Sequence, residues 1–221
     1  MTKQLLTIII TLICFTGHGQ SFEGTITYKV EALNPYPENI ADSTWQEMLK
    51  EQFGERGYML QKYFYKGGNY MSEIEAGGAA GFQVFNPQDG LIYSWQQNSD
   101  TSITLDSKKN MDVFTEMLPS EKTDTILGIP CTSVVVKSVF GQITLWYNSN
   151  YLKMDPSLFE GHIYGHWVNI LEEIGCLPLK IHHEGFQGQV IQTAISFEEV
   201  SVEDKKFEIP EFKEVVANPM N

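Results

Sequence analysis

Phe22-Glu23-Gly24-Thr25-Ile26-Thr27-Tyr28-Lys29-Val30-Glu31 alternates with a period of two. Phe22, Ile26, Tyr28 and Val30 fall on one side; Glu23, Thr25, Thr27, Lys29 and Glu31 fall on the other. Side chains on a strand alternate between faces, so this segment is a strand with one apolar face and one polar face. A strand of that kind belongs to a sheet packed more heavily on one side than on the other.

Ahead of this strand, Met1-Thr2-Lys3-Gln4 precedes an apolar run from Leu5 to Phe15 and then Gly17-His18-Gly19-Gln20. A basic start, a short apolar stretch and a small-residue exit predict a secretory signal peptide over 1–19. The apolar run is too short to span a bilayer, which takes about 20 such residues. The chain is therefore expected to be exported, to the periplasm or in association with an outer membrane. Cys14 raises the alternative of a lipidated anchor, but Leu12-Ile13 lacks the small residue expected before a lipidated cysteine.

The 221 residues carry 28 acidic and 15 basic side chains, a formal net charge of −13. That balance excludes nucleic acid and anionic membranes as expected partners, because both need clustered Lys and Arg. No later apolar stretch predicts a transmembrane segment. Cys131 and Cys176 remain after the leader, and in an oxidising compartment such a pair is a disulfide candidate. Two buried free thiols are the other reading, and spacing alone does not choose between them.

Downstream, Asp42-Ser43 leads into Trp45, Met48, Leu49 and Phe53, an apolar stripe at helical spacing. Ser43 with Gln46 fits a capping box, and Gly54 supplies a stop. From 58 to 127 the chain reads as a meander of short strands, broken by Gly67-Gly68, Asn86-Pro87 and Asn98-Ser99-Asp100. Strands at 131–140, 142–148, 177–184 and 189–199 follow, with short helices at 156–159 and 167–173 and a last strand at 207–209. Connections this short favour antiparallel neighbours.

The expected architecture is mainly β, a single curled antiparallel sheet forming a half-open barrel. One amphipathic helix lies in its concavity, and a short helical insertion comes late. Residues 20–210 make one domain, and 211–221 a loose C-terminal tail. Aromatic and methionine side chains on these elements, Trp45, Met48, Phe53, Phe64, Tyr93, Trp95 and Trp146, are the candidate lining of a ligand pocket between helix and sheet.

Several segments carry a family resemblance: Phe22-Glu23-Gly24-Thr25-Ile26-Thr27-Tyr28 directly after the leader, Gly128-Ile129-Pro130-Cys131, Leu145-Trp146-Tyr147-Asn148 and Phe207-Glu208-Ile209-Pro210. The chain resembles uncharacterised exported families of Gram-negative envelopes, which are similar to the lipoprotein-carrier (LolA/LolB-like) superfamily. That resemblance implies a half-open barrel lidded by helices, with an apolar interior that holds acyl chains. Its motifs mark strand ends and turns, so no ligand-contacting residue is carried over.

Catalytic chemistry is poorly represented. His162 and His166 stand four apart with Glu172 nearby, which raises a remote zinc-hydrolase reading. Gly161 and Gly165 weaken the helix that spacing would need. Gly-x-Ser-x-Gly is absent, and Gly77-Gly78-Ala79-Ala80-Gly81 lacks the lysine of a phosphate loop. No metal, cofactor or enzymatic activity is expected. The leading expectation is a non-enzymatic binding or carrier-like protein with a lipid or other apolar ligand. The alternative is a structural or protein-interaction module of the envelope with a filled core.

Overall fold

The computed structural model describes residues 21–186 and 188–219. The expected signal peptide, with Cys14, lies outside the described residues. Beyond it the chain forms one open, curled sheet of twelve strands. In chain order these are β1 (Gly24–Ala32), β2 (Met59–Lys66), β3 (Asn69–Ala76), β4 (Ala79–Asn86), β5 (Leu91–Gln96) and β6 (Thr101–Asp106). Then come β7 (Phe114–Ile126), β8 (Ile129–Ser138), β9 (Gly141–Tyr147), β10 (Lys180–Gly185), β11 (Gly188–Glu199) and β12 (Glu214–Ala217).

Across the sheet the order is β12-β6-β5-β4-β3-β2-β1-β11-β10-β9-β8-β7. Two meanders therefore flank β1, and the late strand β11 closes onto it. Every pairing is antiparallel except β12 on β6. The two weak strands expected at 111–117 and 123–127 are one long β7, whose register against β8 shifts twice. Residues 177–179 belong to the connection before β10, and 207–209 form no strand.

The alternation read in β1 sets the layers. Ile26, Tyr28 and Val30 are buried on one face, together with Tyr65 and Tyr70, Phe85, Ile92 and Ala194 from neighbouring strands. What covers that face is the segment between β9 and β10. It carries a 3-10 turn at Pro156–Phe159, another at Tyr164–His166, and α2 (Trp167–Ile174). Leu152, Met154, Phe159, Leu171, Leu177 and Leu179 fill the space above β1. Ile170, Ile174 and Cys176 fill the space above Val134, Val136 and Leu145. Tyr28 Oη donates to the Pro178 carbonyl at 2.7 Å, pinning the insertion to the central strand.

The early helix does not take the place expected of it. α1 (Asp42–Phe53) forms, but it begins at Asp42 without a side-chain cap, and among its residues Leu49 alone is buried. Met48 is 47% exposed. The helix is tied beside the sheet by Trp45 Nε1, which donates to the Ala32 carbonyl at 3.0 Å. Its four apolar side chains cannot compete with the denser apolar run of the late insertion for the same face.

The opposite face of β2–β6 is crossed by residues 200–217. Lys206 Nζ sits 4.2 Å over the Phe64 ring and pairs with Glu73, and Phe212 packs on Trp95 at 5.4 Å between ring centroids. Met71 and Val84 are buried on this side. The tail, expected to be loose, ends as β12, paired in parallel with β6 from Glu214–Thr101 to Ala217–Thr104. No helix among the described residues is long and apolar enough to cross a membrane.

Candidate functional site

Two hairpins end side by side. The β8–β9 tip carries Val139 and Phe140, and the β10–β11 tip carries Phe186. Phe140 and Phe186 meet edge to face with centroids 5.5 Å apart. Val139 is 67% exposed and Phe186 75%. Such tips stay together because Gly141 faces Gly185: a Cβ on Gly141 would stand 2.1 Å from the Glu184 carbonyl oxygen. The backbones approach too closely there for any side chain.

Beneath the tips lies a recess of about 580 Å³. Phe140, Ile143, Phe186 and Val190 give it apolar walls; Tyr164, His166 and Asp112 close it from the insertion and the β6–β7 connection. The turn from Ile163 to His166 is stitched down at several points. Ser107 O accepts from the backbone N–H of Ile163 and of Tyr164, each at 2.9 Å. His166 is buried, with Asn110 Nδ2 3.2 Å from its Nδ1 and Asp112 Oδ2 3.3 Å from its Nε2.

Both imidazole nitrogens of His166 are thus held by protein groups, which suits a fastener better than a base. The backbone explains why a fastener is needed. Gly165 (φ 63°) and His166 (φ 62°) are consecutive left-handed residues, an unfavourable setting for histidine. Burial raises the Asp112 carboxyl. Hydrogen bonds from the Ser138 hydroxyl, the Phe140 N–H and the His166 ring outweigh that and hold it below the usual carboxylate range. The Phe140 N–H donates to Asp112 Oδ1 at 3.0 Å, so the same carboxylate joins the hairpin tip to the histidine.

On the other side of that turn a second, smaller cavity of about 170 Å³ lies against β2–β5. Tyr63, Tyr65, Tyr70, His162 and Trp167 line it, and Tyr164 and Gly165 line both cavities. Tyr70 Oη and His162 Nε2 are 3.0 Å apart, with the His162 ring against Phe85 at 4.6 Å between centroids. Burial drives the His162 pKa down to about 4, against a smaller opposing pull from its own backbone, so the ring is neutral near pH 7. Burial likewise pushes Tyr63 up to about 12 and Tyr65 and Tyr70 well above the usual tyrosine value, keeping them protonated. A third recess, about 620 Å³, lies where the described chain begins at Ser21 and is walled mainly by loop residues.

The pocket expected from the sequence is not assembled. None of Trp45, Met48, Phe53, Phe64, Tyr93, Trp95 and Trp146 lines any of the three recesses. Trp45, Met48 and Phe53 stay with the peripheral α1. Phe64, Tyr93 and Trp95 face away from the insertion; Tyr93 Oη donates to Asp89 and Trp95 stacks on Phe82. Trp146 is buried in the core, with Lys180 Nζ 4.8 Å over its ring.

Cys131 and Cys176 are both buried and both free. Burial pushes the Cys176 thiol up to about 12, with a further push from Cys131. His162, His166 and Glu172 do not converge: one histidine joins Tyr70, the other joins Asp112, and Glu172 is exposed. The residues that do build the recesses carried one faint signal, aromatics set against glycine at turns: Phe140-Gly141, Gly185-Phe186 and Tyr164-Gly165. Bulky apolar groups at turn tips have no packing reason to be there.

No protein-family model and no curated protein matches the chain. Solved structures do. PNGF-II matches in two crystal forms at 14% identity, with TM-scores of 0.46 and 0.45 and 90% of this chain covered. The chain spans about a third of the length of PNGF-II, 32% and 31% in the two forms. An uncharacterized conserved protein from Thermus thermophilus matches at 9% identity and a TM-score of 0.46, over 89% of this chain and 91% of that one. Likeness of this degree says nothing about activity.

Proposed function

We propose that the chain is an exported, non-enzymatic binding protein of carrier type, holding the apolar tail of an amphiphile in the recess beneath Phe140 and Phe186. The observation that carries this reading is the recess itself. Its volume, about 580 Å³, falls within the usual range of ligand sites, and its walls pair apolar side chains with polar ones, most of which are bonded to one another. His166, Asp112 and Asn110 are bonded to one another and Gln142 donates to Glu184, which leaves His183 as the polar ring facing a ligand, so most of the gain on binding is apolar burial at about 0.8 kcal/mol per methylene. The exposed rings at the hairpin tips give a greasy ligand a wall to enter along. The resemblance to lipoprotein carriers, with their lidded half-barrels, points the same way.

Native mass spectrometry of the purified protein, together with uptake of a fluorescent fatty acid, tests the proposal. Bound lipid or saturable uptake is expected, and Val190→Trp, which fills the recess, should abolish it. A protein that carries no lipid and takes up no probe sinks the reading.

The exposed Val139, Phe140 and Phe186 cluster favours a second reading, a protein-interaction module of the envelope. Under it, a Val139→Ser/Phe186→Ser variant loses a partner from envelope extracts while the wild type shows no lipid uptake.

A further inference from the structure

His183 is at odds with its surroundings. On β10 it stands opposite Ile143 of β9 and Val190 of β11, and residues directly opposite share a face. Two residues along the same strands, Leu145 and Ile181 pack with Ile170 and Ile174 of α2. The row Ile143–His183–Val190 therefore lies on the apolar, covered face of the sheet, where it lines the larger recess.

The other three histidines among the described residues have protein partners. His162 meets Tyr70, His166 meets Asn110 and Asp112, and His182 meets Gln189. His183 is half-buried and makes no hydrogen bond among the described residues. Neither of its ring nitrogens is among the sealed, unpartnered atoms of the interior, so the ring can be reached from the recess. Most other polar side chains of the lining are already engaged: Asn110 and Asp112 with His166, Ser138 with the Gly141 carbonyl, and Gln142 with Glu184. The Tyr164 hydroxyl makes no hydrogen bond either, but Tyr164 is 41% exposed and meets solvent at the outer wall.

Burial, with a further push from His182, lowers the His183 pKa, so the ring is neutral near pH 7. It then offers one N–H and one bare nitrogen. A hydroxyl suits either atom, whichever tautomer the ring adopts, because it both gives and takes a hydrogen bond. Charge narrows the choice. No Lys or Arg lines the recess, so a carboxylate head would meet Asp112 with no cation to offset it. A cationic head gains little in its place. Asp112 is already matched by the Phe140 N–H and the His166 ring, and Glu184 alternates onto the other face of β10 from His183.

We infer that His183 is the head-group contact of the recess, and that it favours an amphiphile with an uncharged hydroxyl head over an anionic or a cationic one. The inference rests on the carrier reading for the tail and adds the class of head that the tail carries.

Displacement of the uncharged fluorophore N-phenylnaphthylamine by decanol, decanoate and decyltrimethylammonium at pH 7.5 tests it. Decanol should bind most tightly of the three. His183→Phe keeps a ring and removes both nitrogens. It should weaken decanol on the order of 5-fold, the worth of one hydrogen bond, and leave decyltrimethylammonium, which has no proton to give, within about 2-fold. His183→Gln restores a donor and an acceptor and should recover most of the decanol affinity. His183→Leu replaces the first variant should that one fail to fold. Decanol unaffected by loss of the ring nitrogens, decyltrimethylammonium weakened equally, or no recovery with glutamine overturns the head-group assignment while the tail site stands. Decanoate or decyltrimethylammonium binding more tightly than decanol overturns the preference for an uncharged head. Displacement by none of the three overturns the carrier reading and this inference with it.

Discussion

α1 and the late insertion start from similar material and end in opposite roles. Both have apolar side chains at helical spacing, both are short, and both are flanked by glycine. Yet α1 buries Leu49 alone, while α2 buries Ile170, Leu171 and Ile174 within a connection that adds Leu152, Met154, Phe159, Leu177 and Leu179. Periodicity tells which residues share a helix face. It does not tell which of two helices gains the sheet. That is decided by apolar area, and the insertion brings more of it per residue. The loser stays at the rim, held by the Trp45 hydrogen bond to Ala32.

Truncation in the insertion should therefore cost the most. Phe159→Ala and Leu171→Ala each empty a fully covered site, and a loss of about 3–5 kcal/mol is expected from denaturant unfolding. If either costs less than about 1 kcal/mol, well below the range for such truncations, the insertion is not the cover of this sheet.

The next effect is one that α1 has no group to produce. His162 has its pKa lowered to about 4, from near 6.5 when unfolded. Between those values the unfolded chain binds the proton more readily. Stability is complete above about pH 6.5 and falls as pH drops towards 4, by at most about 3 kcal/mol for this one residue. His183 is lowered too, by burial and by His182, and steepens the same acid limb. Asp112, held below its usual range, begins to contribute only at lower pH. Chemical unfolding from pH 7.5 to 4 should show the slope, and His162→Phe should flatten much of it. An unchanged slope in that variant would show that the ring is not buried neutral.

Much of the sheet was legible in the sequence, and the reason is local. Phe22 to Glu31 alternates because one face of β1 meets the insertion and the other does not, and the turns at Gly67-Gly68 and Asn86-Pro87 fall where the backbone needs them. The short helical pieces at 156–159 and from 167 onward could also be read from local pattern. Reading failed where the answer depends on competition or on distant partners. Phe64, Tyr93 and Trp95 have strand periodicity and aromatic rings, but register puts them on the face that the 200–217 segment crosses. β12 could not be seen because Val215 and Val216 fall on opposite faces of a four-residue strand and neither is buried; its partner, β6, lies more than a hundred residues earlier. His166 and Asp112 are 54 residues apart, and nothing in the sequence joins them.

Leu49 sharpens the comparison from the α1 side. It is the residue of that helix that is buried, beside Gly57, so Leu49→Ala should cost about 2 kcal/mol, the low end for a leucine, because a peripheral helix can settle into the gap. A loss as large as that of Leu171→Ala would mean that α1 shares the core.

The smallest effect is the most diagnostic. Met48 belongs to the apolar stripe that first placed α1 over the sheet, on the same arithmetic that includes Leu49 and Phe53. With about half of its surface in water it has little burial to lose, and methionine and alanine are both good helix formers. Met48→Ala should change stability by less than about 0.5 kcal/mol and leave probe uptake unchanged. Under the architecture expected from sequence, the same change would open a cavity at the ligand's wall, costing about 2 kcal/mol or more and weakening the probe. One conservative variant, read by unfolding and by binding, thus separates a helix that lines the site from one that only stands beside it.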